Sequence, residues 1–247
     1  FTEGLAPMKI GGKWGFIDKT GKIIINPQFD SALNFTEGLA GAELAYKSGY
    51  INRTGNYLVN PQFENAYPFS EGLARVKLGG KWGYINKTGK FVMNPQFDEA
   101  YDFHEGLAGV QISSKMGYLD KSGKIVINPQ FDDSSDFSEG LARVKLGGKW
   151  GYINKTGKFV INPQFSEAQN FSEGLAAVEI GNRMAYVDKT GRIIVNPQFE
   201  GADAFSTGLA RIKLGGRFGF INKTGKIIIN PQFNGATRFL EGYSCVY

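Results

Sequence analysis

Residues 69–102 read FSEGLARVKLGGKWGYINKTGKFVMNPQFDEAYD, and residues 137–170 repeat them almost unchanged as FSEGLARVKLGGKWGYINKTGKFVINPQFSEAQN. Weaker copies fill the rest of the 247-residue chain, each opening on a phenylalanine: Phe1, Phe35, Phe69, Phe103, Phe137, Phe171, Phe205 and Phe239 stand 34 residues apart. Seven units and the start of an eighth result. A constant period of this size denotes a tandem array whose units bury their apolar surfaces on one another. No linker interrupts it, so residues 1–247 are expected to form a single repeat domain with units starting at 1, 35, 69, 103, 137, 171 and 205.

Within the third unit, Leu73 to Leu78 alternates in the manner of a strand, with Ala74, Val76 and Leu78 on one side and Leu73, Arg75 and Lys77 on the other. Gly79-Gly80 then predicts a two-residue hairpin, since both positions can take positive φ without a Cβ clash. Pairing Leu78 with Lys81 sets Lys77 opposite Trp82, Val76 opposite Gly83, Arg75 opposite Tyr84 and Ala74 opposite Ile85. Asn86-Lys87-Thr88-Gly89-Lys90 fits a type I turn with glycine in a left-handed bulge position, and every unit keeps that glycine: Gly21, Gly55, Gly89, Gly123, Gly157, Gly191 and Gly225. A third strand is predicted from Lys90 to Asn94, with Pro95 stopping it by removing a ladder donor.

Each unit is therefore expected to be a three-stranded antiparallel meander. One face carries Ala74, Val76, Ile85, Phe91 and Met93, the other Trp82, Tyr84 and Val92 beside the stems of Arg75 and Lys77. Two faces that both need cover favour face-to-face stacking. A helical repeat of equal length is excluded by two glycine turns and an NPQF in every copy.

A second period overlies the first. Odd units carry Trp14, Trp82, Trp150 and Phe218 where even units have Ser48, Met116 and Met184; first strands alternate Lys9, Lys77, Lys145 and Lys213 with Glu43, Gln111 and Glu179. Lys77 with Glu43, and Lys145 with Glu179, are expected as inter-unit ion pairs. An odd number of units cannot alternate around a ring, and Tyr243 to Tyr247 supplies an eighth first-strand segment for seven hairpins. The expected fold is all-β: seven meanders stacked as an open, superhelical, β-solenoid-like array with a capping strand at 239–247. A closed seven-bladed β-propeller is the alternative.

The GKWGYINKTGK and NPQF elements, with FSEGLA between them, resemble the bacterial WG-repeat family, also called KWG repeats, over essentially the whole chain. The resemblance implies a tandem β-repeat, often in exported or cell-surface bacterial proteins, with no common catalytic residue. Ser48, Met116, Met184 and Ala185 depart from the WG pair. Gly83 is read as permitting close packing.

Candidate chemistry is sparse. The net charge of +5 comes from lysines spread over many turns, which favours a solvated surface over nucleic-acid binding. Cys245 is the only cysteine, so no internal disulfide forms, and no run of 18 apolar residues offers a membrane span. A trimmed or processed chain is expected from the opening at Phe1. The DKTG at 18–21 and 188–191 imitates a phosphorylated-aspartate motif but reads better as a bulged turn; His104, the sole histidine, stands where other units have Ser or Thr and is read as an exposed substitution rather than a metal ligand or catalytic base. The glutamate of FxEG (Glu3, Glu37, Glu71, Glu105, Glu139, Glu173, Glu241) is read as satisfying the local backbone where the chain crosses into the next unit, with an acidic row for calcium or sugar as the competing reading.

Trp14, Trp82, Trp150 and Phe218 are the candidate binding residues, either as exposed platforms or as plugs between meanders. No catalytic residue, metal or cofactor is expected. The expected function is a non-catalytic scaffold for protein contact or self-assembly at or outside a bacterial cell, extracellular or on the surface. A lectin-like carbohydrate-binding module using the tryptophans is the alternative.

Overall fold

The structure, a computed structural model, describes residues 1–239 and 243–246. The described residues are all β and form seven antiparallel sheets in chain order. They divide into two compact units, Phe1–Pro129 and Gln130–Tyr247, the division falling within the strand Ile125–Phe131.

In the third meander the long strands are Leu73–Leu78, Lys81–Asn86 and Phe91–Phe97. The Gly79-Gly80 hairpin sets the register predicted from sequence, Lys77 opposite Trp82 and Val76 opposite Gly83, with φ of 61° and 74° at the two glycines. At the next turn Asn86 Oδ1 accepts hydrogen bonds from the N–H groups of Thr88 and Lys90 and from the Thr88 hydroxyl, while Gly89 takes φ 82°.

Two features differ from the sequence expectation. The third strand does not stop at Pro95 but runs to Phe97, with the proline inside it. This is permitted because the strand is the edge of its sheet, where a missing N–H breaks no ladder. The register also slips twice: Trp82, Tyr84 and Ile85 pair with Phe97, Met93 and Phe91. The extra residue between Phe91 and Met93 exchanges the predicted faces, so Met93 turns inward beside Tyr84 and Val92 turns out to solvent. In addition, a two-residue strand from the preceding crossing segment, such as Asn65–Ala66, joins the first strand and makes five of the seven sheets four-stranded among the described residues.

The larger slip explains Gly83. The Asn94-Pro95-Gln96 bulge folds over it so closely that a Cβ at residue 83 would stand 2.6 Å from the Met93 carbonyl oxygen and 2.7 Å from Pro95 N. The close packing inferred for this glycine is thus against backbone. The sixth meander has Ala185 at this place with the same pairing of Met184 to Phe199 and Tyr186 to Val195, so one methyl is accommodated without a change of register.

Within each compact unit successive meanders stack face to face. Ala74, Val76 and Ile85 of the third meander share a buried cluster with Tyr50, Val59 and Phe63 of the second. Its opposite face, with Trp82, Tyr84 and Met93, shares another with Ala108, Val110 and Leu119 of the fourth. The phenylalanine that opens a copy packs on the preceding meander, as Phe69 lies 4.8 Å from Tyr50 and Phe171 4.8 Å from Tyr152, centroid to centroid; Phe1, with no meander before it, is exposed. Buried tyrosines also hold the crossing segments, the Tyr50 hydroxyl donating to Tyr67 O and that of Tyr152 to Gln169 O at 2.7 Å each. Burial pushes both hydroxyls far above their usual pKa.

Polar groups tie neighbouring meanders. Glu71, in the left-handed region at φ 53°, accepts from the Gly106 N–H at 3.0 Å and meets Lys121 Nζ at 2.9 Å. Glu37 and Glu173 do the same with Gly72 and Lys87, and with Gly208 and Lys223. The FxEG glutamate therefore satisfies the backbone of the next copy, 35 residues on, rather than its own. At Thr207 the hydroxyl donates to Ser206 O instead; Glu241 lies outside the described residues. The expected pairs Lys77–Glu43 and Lys145–Glu179 are absent: Lys77 and Lys145 lie over the rings of Trp82 and Trp150. The capping strand expected at 239–247 lies partly outside the described residues; within them Ala236 bridges Val246.

Two predictions follow from these contacts. Gly83→Ala is expected to cost about 1–2 kcal/mol and Gly83→Val more than about 3 kcal/mol, because only the second exceeds what Ala185 shows can be absorbed; urea denaturation reads both, and equal costs would refute the backbone clash. Burial alone would raise the carboxyls of Glu71 and Glu173, but Lys121 and Lys223 with the Gly106 and Gly208 N–H groups hold them below 4.5. A lowered folded-state pKa gives stability that is complete above 4.5 and lost as pH falls through the folded value. The drop in melting temperature from neutral pH to the acid side of that range should accordingly be smaller in Glu71→Gln/Glu173→Gln than in the wild type.

Candidate functional site

The alternation along the sequence has a counterpart beside the first strand of each meander. In the third, Arg75 lies with its guanidinium carbon 3.6 Å from the Tyr67 ring centroid and 5.5 Å from that of Trp82. It donates from Nη1 to Ala100 O at 2.7 Å and from Nε to Asp102 Oδ1 at 2.8 Å, so it spans from one crossing segment to the next. The fifth and seventh meanders keep the stack and the bond to the carbonyl of the following crossing segment, but not the carboxylate of that segment. Arg143 lies over Trp150 and donates to Ala168 O; Arg211 lies over Phe218, donates to Ala236 O and pairs with Asp203.

Even meanders lack the stack. The residues at the arginine position are Gly41, Gly109 and Ala177. In the second meander, Gly41 and Ser48 replace arginine and tryptophan, and a cavity of about 420 Å³ remains, walled by Leu33, Tyr67 and Pro68 and edged by Ser31, Glu43 and Asn65. In the sixth, a cavity of about 460 Å³ stands at the equivalent place, lined by Glu167, Gln169, Met184 and Asp203 and also by Arg143. The fourth meander fills this place with Met116, which is buried.

The four candidate binding residues do not form an exposed platform. Trp82 and Trp150 are each 5 % exposed, and their indole N–H groups have no acceptor; Trp14 and Phe218 are half-buried. Of the two readings set out from sequence, the plug describes their position. Glycines at the bulged turn act between meanders as well as within the turn: a Cβ at Gly89 would stand 2.9 Å from Val59 Cγ2, and one at Gly123 2.9 Å from Met93 Cγ, whereas Gly21, in the first meander, meets nothing within 4 Å. Asp18 and Asp188 of the DKTG copies are turn-formers, each accepting from the hydroxyl two residues on at 2.6 Å, and that hydrogen bond chiefly holds their carboxyls below the usual range. His104 is exposed. Gly41, Ser31 and Asn65 were not singled out from sequence, although Arg75, Arg143 and Arg211 against Gly41, Gly109 and Ala177 carries the same alternation as the tryptophans.

The model of the WG containing repeat matches this chain at residues 1–14, 14–47, 49–82, 82–115, 116–150, 150–183, 184–218 and 218–247. The chain belongs to the WG-repeat family. In this WG repeat the tryptophan plugs the slot beneath arginine and lysine, and the glycine leaves room for the asparagine-proline bulge. No curated protein matches the sequence. Among solved structures, BamB from Moraxella catarrhalis is similar with a TM-score of 0.56 at 11% identity, over 100% of this chain and 91% of that one. A eukaryotic initiation factor is similar with a TM-score of 0.63 at 11% identity, over 94% and 74%. These are likenesses of fold. BamB is a β-propeller-like repeat protein, which is consistent with the alternative arrangement drawn from the sequence.

Because Trp82 is a packing residue, Trp82→Ala is expected to destabilise by about 3–5 kcal/mol and Trp14→Ala by less than half of that. Thermal and urea denaturation check the ranking, and a neutral Trp82→Ala would refute the plug.

Proposed function

We propose that this WG-repeat scaffold is non-catalytic and serves protein contact, with a partner or with further copies of itself, at or outside a bacterial cell. The supporting observation is a set of exposed aliphatic side chains at one position of the edge strand: Ile24, Leu58, Val92, Val126, Val160 and Ile228, between 36 % and 56 % exposed. The face exchange described above turns this position outward, since the bulge sends its successor into the core. A repeated exposed apolar side chain, with Ile23, Ile193 and Ile227 also exposed on third strands, is suited to docking a protein surface. Contact through side chains fits better than strand addition at this edge, because third strands such as Ile23–Phe29, Tyr57–Phe63 and Phe91–Phe97 carry a proline and a bulge that blunt backbone pairing.

The polar side chains of the repeat support the non-catalytic reading. The turn Asn or Asp, the FxEG glutamate and the buried tyrosine are each engaged in holding backbone, as at Asn86, Glu71 and Tyr50. The carbohydrate reading called for exposed tryptophan rings, and Trp82 and Trp150 are covered.

Light scattering across a concentration series is expected to show association that Leu58→Glu/Val92→Glu/Val160→Glu abolishes, or a photo-reactive residue at position 92 is expected to give protein adducts in living cells. A monomer at every concentration together with no adduct would sink the proposal.

A further inference from the structure

We infer that the open slot of the second meander receives an arginine side chain from a protein partner, in the place that Arg75, Arg143 and Arg211 fill from within the chain in other meanders. This rests on the reading of the scaffold as a protein-contact module and names the chemistry of one contact. In the third meander the guanidinium is held by the carbonyl of Ala100 and by a carboxylate, that of Asp102. The second meander keeps the matching carbonyl and supplies a different carboxylate. Ala66 O, 34 residues before Ala100, stands 3.8 Å from where a Cβ on Gly41 would lie. Glu43 occupies the position of Lys77, so the charge beside the slot is reversed from cationic to anionic where the chain's own arginine is missing.

The side chains around the slot are available. Glu43, Ser31, Ser48 and Asn65 line the cavity, and among the described residues none of these side chains has a hydrogen-bond or ion partner within the chain. Leu33, Tyr67 and Pro68 offer apolar walls for the methylene stem of an arginine, whose planar head suits a carboxylate and carbonyls together. About 420 Å³ is ample for one such side chain. The sixth-meander cavity already contains Arg143 among its lining residues and is left out of the proposal.

The test is a titration of isotope-labelled full chain with acetyl-Gly-Arg-Gly-amide, followed by the amide resonances of Gly41, Ser48 and Asn65. The same peptide with citrulline, a neutral isostere, serves as comparison. The arginine peptide is expected to move these resonances and to bind about tenfold more tightly than the citrulline peptide, in keeping with a charge-assisted hydrogen bond. Glu43→Gln should remove that preference. Gly41→Arg should abolish the response by supplying the guanidinium in cis; the Cβ at residue 41 meets only the movable end of Leu33 at 3.1 Å. Equal binding of the two peptides, no response at saturating arginine peptide, or binding unchanged in Gly41→Arg would overturn the proposal. If Gly41→Arg fails to fold, the citrulline and Glu43→Gln comparisons still decide it. None of these variants touches Leu58, Val92 or Val160, so failure here leaves the edge-strand reading standing, and failure of the edge-strand experiment leaves a positive titration intact.

Discussion

Between the second strand of each meander and its edge strand there is no space at one position for a side chain larger than a methyl group. Where Gly83 stands, the backbone of Asn94 and Pro95 comes within 3 Å of an imagined Cβ. The glycine and the proline motif thus depend on each other, although they lie twelve residues apart in the chain. The bulge that their approach accommodates changes the register of the edge strand, and the change decides which residue points in. Met93 turns to the core, and a Cβ on the next meander's Gly123, at φ 87°, would stand 2.9 Å from its Cγ. Val92 turns outward instead. Stacking distance and outer surface both follow from one close approach.

Stacking is obligatory because a lone meander of this size, apolar on both faces, would be marginal in water. Hydrophobic cover is supplemented by groups that cross from copy to copy. The FxEG glutamate adopts a left-handed backbone conformation that costs a non-glycine residue about 1 kcal/mol, and its carboxylate reaches the N–H and the lysine of the following copy. Polar motifs that would draw attention as chemistry, DKTG among them, are hydrogen-bond devices of turns and joints. Their repetition reflects a structural requirement met once per copy.

What differs between copies is more informative about function than what is shared. The third, fifth and seventh meanders close the slot beside the first strand with an arginine stacked on aromatic rings, where the first has Pro7; in the second meander glycine and serine leave it open, with a carboxylate at its edge. An exposed aliphatic side chain repeated from copy to copy then accompanies at least one place unlike the rest. A scaffold that holds partners by repeated contact can gain direction from such a place.

The period, the strand pairs, the hairpin register and both turn types were legible in the residues themselves, because each rests on local rules: alternation for strands and positive φ for glycines. Membership of the WG-repeat family was legible for the same reason, since its motif is those turns and strands in fixed order. The faces of the edge strand were not, because a two-fold alternation presumes an unbroken ladder, and the bulge is forced by an approach between residues distant along the chain. Nor was the burial of Trp82 and Trp150, which depends on arginine and lysine lying over the rings from the neighbouring strand. The open slot is of the same kind: Gly41 is an unremarked residue until the tertiary structure shows that nothing else reaches across the space its side chain would have filled.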